Sequence, residues 1–119
     1  MQMPKPTEAD KARFHELVPD DPRVETRPMF GNLGAFVNGN MFMGLFGADV
    51  GVKLSEDDRH ELLSVDGACP FGPAERPMGG YVTMPAAWAS DPAQAAPWVR
   101  RALEYVGTLP PKKPKPRKR

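Results

Sequence analysis

Cysteine, histidine and long apolar runs are the scarce features of this 119-residue chain. Its one cysteine, Cys69, cannot close an internal disulfide, which excludes a disulfide-stapled secreted fold and points to a cytoplasmic setting. The two histidines, His15 and His60, fall on separate predicted helices. Neither belongs to a His-x-x-x-His pair or neighbours a Cys-x-x-Cys pair, so no metal is expected. No apolar stretch approaches the ~20 residues of a membrane-spanning helix. The opening Met1-Gln2-Met3-Pro4-Lys5-Pro6 leads into no apolar segment of the kind a secretory signal needs.

The chain instead has a 40% hydrophobic content, enough for one packed core, and an uneven charge distribution. Lys112, Lys113, Lys115, Arg117, Lys118 and Arg119 place six bases and no acid in residues 112–119. The net charge is +1; removing those six from the 16 Lys and Arg leaves ten against 15 acids, so residues 1–111 carry about −5.

The spacing predicts a first helix capped by Thr7, with Asp10 in a capping-box position. Ala9, Ala12, Phe14, Leu17 and Val18 form its apolar face, and Pro19 stops it. From Arg23 the period falls to two. Val24, Thr26 and Pro28 alternate with Glu25, Arg27 and Met29, a strand frayed by its proline. Gly31-Asn32 begins a bend, Leu33 to Val37 forms a second strand, and Asn38-Gly39-Asn40 reads as a hairpin turn. Met41 to Phe46 and Val50 to Leu54 complete a meander around Gly47-Ala48-Asp49, since such short connections allow only antiparallel pairing.

Ser55 caps a second helix running to about Ser64, with acids in its first turn. Residues 66–80 are rich in Gly and Pro, with Cys69 to Phe71 as a short extended piece. Tyr81 to Met84 is another strand, ended by Pro85. Ser90-Asp91-Pro92 caps a last helix that carries Trp98, Ala102, Tyr105 and Val106 on one face, with Arg100, Arg101 and Glu104 largely opposite, and stops at Gly107. Helix, three or four strands, helix, one or two strands, helix implies a two-layer α+β domain with an antiparallel sheet. It spans residues 7–108, between a disordered 1–6 and a disordered basic tail, 109–119.

Catalytic machinery is not legible. Cys69 sits before Pro70 with no nucleophile-elbow signature, so it reads as a packing residue rather than a nucleophile served by His15 or His60. Ser55 and Ser90 read as caps, and Asp20-Asp21 and Asp57-Asp58 as solvated pairs. Gly31 to Gly39 resembles a phosphate loop only in composition: no Gly-Lys-Ser/Thr and no helix follow. Its glycines, with Gly44, Gly47 and Gly51, read as turn and close-approach residues. Met29, Met41, Met43, Met78 and Met84 read as core filling. The tail, with Pro111, Pro114 and Pro116 between its bases, should be extended. It either contacts nucleic acid without sequence preference or only solubilises the chain, having no aromatic to stack on bases.

The run Arg27-Pro28-Met29-Phe30-Gly31-Asn32-Leu33-Gly34-Ala35-Phe36-Val37-Asn38-Gly39-Asn40-Met41-Phe42 resembles the signature of the TfoX/Sxy N-terminal domain family. Lys53 matches that pattern's later lysine, and Phe71, the Tyr81–Pro85 strand and Trp98 match further features. Asn32 stands where a glycine is common. The resemblance covers about residues 8–107. It implies a secretion-chaperone-like α+β fold, a link to regulators of competence, and neither enzymatic activity nor a cofactor. The C-terminal helical domain of full-length competence regulators has the basic tail in its place.

The residues implied for binding, unless they serve the fold alone, are Arg27, Met29, Phe30, Gly31, Gly34, Phe36, Gly39 and Lys53. A non-catalytic regulatory module with a protein partner is expected, as monomer or homodimer and without a membrane. The alternatives are a small enzyme using Cys69 or a histidine, and a purely structural homodimer.

Overall fold

A computed structural model describes residues 5–29, 32–72 and 79–110. Helix α1 (Glu8–Leu17) leads into strands β1 (Val24–Met29), β2 (Asn32–Val37), β3 (Asn40–Phe46) and β4 (Asp49–Lys53). Helix α2 (Glu56–Leu63), strands β5 (Cys69–Pro70) and β6 (Tyr81–Thr83), a 3-10 turn (Ala86–Ser90) and helix α3 (Pro92–Gly107) follow. The strands form one six-stranded antiparallel sheet in the order β1-β2-β3-β4-β6-β5. The expected two-layer α+β architecture is therefore observed. The disorder expected for residues 1–6 and 109–119 falls mostly outside the described residues; of the described part, Leu109 packs against the core and the Pro110 carbonyl accepts from the Asn40 side chain.

Local chemistry sets the element ends. At α1 the Thr7 hydroxyl accepts from the Asp10 N–H at 3.1 Å, and the Asp10 carboxylate accepts from the Thr7 N–H at 2.8 Å. Those two bonds close a full capping box. Asn38 and Gly39 take φ of 53° and 79°, the two positive values of a type I′ turn, whose twist matches that of the strands it joins. Ser55 caps α2 by accepting from the Asp58 N–H.

Strand alternation sorts the sheet into two faces. One carries the register rows Leu33–Leu45–Val50 and Ala35–Met43–Val52–Val82. Helix α3 lies on this face across β2, β3 and β4, and α1 packs against α3. Phe14, Leu17, Leu62, Ala95, Val99, Ala102, Leu103 and Val106 complete the core from the helical side. A bulge sets Ala35 opposite Met43 but Phe36 opposite Met41, leaving Phe42 unopposed. The extra residue lets consecutive Phe42 and Met43 both point into the core.

Four local expectations are corrected. Ala9 and Ala12 are exposed, and only Phe14 and Leu17 of α1 are buried, because only its C-terminal half meets α3. On α3 the buried seam is Ala95, Val99, Ala102, Leu103 and Val106, at 3.6-residue spacing; Trp98 and Tyr105 flank it half-buried. Gly107 stays helical, and Thr108 closes the helix with its hydroxyl donating to the Tyr105 carbonyl. Ser90 ends the unforeseen 3-10 turn, and Asp91 takes the N-cap position of α3 without a side-chain cap bond.

Candidate functional site

The sheet face opposite the helices carries the motif residues Arg27, Gly34, Phe36 and Lys53. Its central row runs Arg27–Gly34–Gly44–Gly51–Thr83–Cys69 across all six strands. Three glycines in register on adjacent strands leave a trough one side chain deep. Phe71 fills its β4 end and is only 2% exposed. A Cβ added to Gly51 would lie 2.3 Å from two carbons of the Phe71 ring, and one added to Gly44 would lie 3.5 Å from its Cζ. The methionine end of Met41 flanks the same trough, 3.3 Å from the Gly44 Cβ position. Gly44 and Gly51 are thus seats for a ring rather than turn residues, which corrects that part of the sequence reading.

Aromatic rings continue from this seat. Phe46 meets Phe71 edge-on at 6.2 Å, and Tyr81 lies 6.0 Å away on the other side. The Tyr81 hydroxyl donates to the Met41 carbonyl at 2.9 Å, tying β6 to β3 over the intervening β4. Burial pushes this phenol up to about 12.

Two cations stand three strands apart on the face, each over a ring. The Arg27 guanidinium lies 4.2 Å from the Phe36 ring centroid and pairs with Glu25 at 3.3 Å. Its side chain is 48% exposed. The Lys53 ammonium lies 5.7 Å from the ring of Tyr81, its register partner. With β2 and β3 between their strands, the two are about 14 Å apart across the sheet at ~4.8 Å per strand. They share a face and do not converge on one cleft. Such cation–aromatic stacking is worth about 0.5–1 kcal/mol at exposed sites and leaves the donor hydrogens directed outward.

Of the remaining motif residues, Gly34 is buried in the glycine row and Gly39 belongs to the β2–β3 turn. Met29 ends β1, while Phe30 and Gly31 lie outside the described residues. The tail candidates Lys112, Lys113, Lys115, Arg117, Lys118 and Arg119 also lie outside them. Sequence reasoning missed Gly44, Gly51, Phe46 and Tyr81 as parts of this face. Their shared side is visible only once the register of four strands is known.

Met43 and Met84 do fill the core. Met41 faces the other way, and Met78 is outside the described residues. His15 on α1, His60 on α2 and Cys69 on β5 are all exposed and belong to separate elements. Among the described residues, no group of three or more His, Cys, Asp or Glu is placed to hold a metal ion. No helix among them is long and apolar enough to cross a membrane.

The family model of the TfoX N-terminal domain matches residues 16–106. The chain belongs to that family. The match begins inside α1 and ends one residue short of the end of α3, so it covers the whole sheet and both later helices. The TfoX N-terminal domain of this chain thus includes the glycine trough, its Phe71 plug and both stacked cations. No curated protein and no solved structure is significantly similar to the chain.

Proposed function

We propose that this TfoX N-terminal domain is a non-catalytic regulatory module of the cytoplasm that binds a protein partner through the sheet face opposite its helices. Its link to transcription or competence is the one its family suggests. Residues 112–119 add non-specific contact with nucleic acid. The observation that carries the reading is the position of Arg27 and Lys53. Both stand on the face formed by the motif, and each is held over a ring with donor hydrogens to spare.

The test uses the full chain as bait in extract of its native organism. A partner is lost from the Arg27→Glu/Lys53→Glu double variant and retained by Arg100→Glu, whose side chain is exposed on α3. Equal recovery by all three baits overturns the assignment of this face. For the tail, a labelled DNA duplex is titrated with the full chain and with residues 1–110. Salt-sensitive binding by the full chain alone is expected, and equal, salt-insensitive binding by both contradicts it.

A further inference from the structure

A cavity lies on the helical side, away from the motif. It is an open groove of about 590 Å³ between the segment joining α1 to β1 and the outer side of α3. Leu17, Val18, Val99 and Leu103 form an apolar floor. Glu16, Asp20, Asp21 and Glu104 supply four carboxylates around it, against the guanidinium groups of Arg23 and Arg100. Arg23 is already bound by Asp21 through hydrogen bonds of 3.1 and 2.9 Å. Glu16, Asp20 and Glu104 form no ion pair among the described residues. Glu104 acts electrostatically on Arg23, but four carboxylates still outnumber two guanidinium groups, so the groove is an apolar trench with a net negative rim.

We infer that residues 111–119 of the same chain dock in this groove. Three observations converge on that occupant. The first is charge, since six bases face an acidic rim on a body of about −5. The second is chemistry. The three prolines, Pro111, Pro114 and Pro116, supply apolar rings for the floor while the intervening Lys and Arg reach the rim.

The third is geometry. The Pro110 carbonyl accepts from the Asn40 amide at 3.0 Å. Asn40 pairs with Val37 and Val37 with Val24, so the tail departs two strands, about 10 Å, from Val24, the neighbour of Arg23 in the groove wall. The groove residues Ala96 to Glu104 occupy about 12 Å of helix at ~1.5 Å per residue. Nine residues in an extended polyproline-like form reach about 28 Å at ~3.1 Å each, enough to turn back and run its length. Docked there, the bases are withheld from phosphates. The groove acids then set how readily the tail engages nucleic acid, a consequence that rests on the proposed function, whereas the docking itself does not.

The experiment places a nitroxide spin label at Arg119→Cys in the full chain carrying Cys69→Ser, and reads amide signals by NMR. At about 20 mM salt, signals of Val18, Val99 and Leu103 are expected to lose at least half their intensity, while those of Phe36 and Lys53 keep theirs. The loss should disappear near 0.5 M salt and in the Glu16→Gln/Asp20→Asn/Glu104→Gln variant. Unchanged groove signals, or a loss that persists in that variant, overturn the inference. A loss seen only when labelled chains are mixed with unlabelled isotopic ones overturns it in favour of docking on a second copy.

The regulatory consequence is read separately with the DNA duplex, which the triple variant should bind at least threefold more tightly than the parent. If no form of the chain binds the duplex, the tail's nucleic-acid role fails while the broadening still decides the docking. Equal affinity of variant and parent overturns the regulatory step.

Discussion

Gly51→Ala is the substitution that tests most sharply how the motif face is built. The new Cβ would fall 2.3 Å from two ring carbons of Phe71, more than 1 Å inside ordinary contact. The ring is flanked by Phe46 and Tyr81, and its Cζ lies 3.5 Å from the Gly44 Cβ position. It must leave its seat or push the strands apart. Full loss of a buried Phe costs about 3–5 kcal/mol, and overpacking alone about 1–3, so a destabilisation of about 3 kcal/mol is expected. In a Phe71→Ala background the same alanine meets no ring, and replacing a strand glycine should gain about 0.5–1 kcal/mol.

The two substitutions should therefore be coupled by about 3 kcal/mol or more, read as midpoint shifts at constant slope in urea unfolding. Gly79→Ala, with nothing within 4 Å of its Cβ position, is the control and should shift stability by less than about 0.5 kcal/mol. If Gly51→Ala costs the same with and without Phe71, the ring is not what the glycine accommodates, and the account of the trough is wrong.

Four further outcomes are expected. Tyr81→Phe loses the hydrogen bond to the Met41 carbonyl and should cost about 1 kcal/mol in denaturant unfolding. In a Tyr105→Phe background the remaining phenol should titrate near 12 by ultraviolet absorbance, since burial holds its proton. The folded state binds that proton more tightly than the unfolded chain, so the contribution is complete below pH ~10 and is lost as pH rises through about 12; a midpoint near 10 would contradict it. Asp21 moves the other way: hydrogen bonds from the side chain and then the backbone of Arg23 hold it at about 2. Its contribution is present above pH ~4 and lost as pH falls through about 2, so Asp21→Asn should flatten the acid limb of the stability curve, and an unchanged limb would refute this. Gly39→Ala, at φ 79° in the hairpin turn, should cost about 1 kcal/mol or more, checked by thermal unfolding against Asn38→Gly, which should be nearly neutral.

Features governed by neighbours in sequence were legible in advance. The Thr7–Asp10 box, the Ser55 cap, the Asn38-Gly39 turn and the meander all depend on a few adjacent residues, and each formed as expected. Features set at long range were not. That β6 returns beside β4 depends on Gly51, Val52 and Lys53 pairing with Thr83, Val82 and Tyr81, across a helix and a Gly/Pro-rich segment. The glycine row needs that register before Gly34, Gly44 and Gly51 can be seen as one trough. On α3 the aromatic residues drew the predicted face toward Trp98 and Tyr105, whereas smaller Val99 and Leu103 allow the helix to approach the sheet. Arg27 and Lys53 were singled out as motif residues; only the pairing shows that they share a face yet stand three strands apart.

The assignment of the sheet face as the contact surface is tested most directly by site-specific photo-crosslinking in the native organism. A photoreactive amino acid replaces Glu25, exposed on the motif face, or Ala93, exposed on α3. The account predicts a discrete partner adduct from position 25 and none from position 93. An adduct from position 93 alone would contradict it.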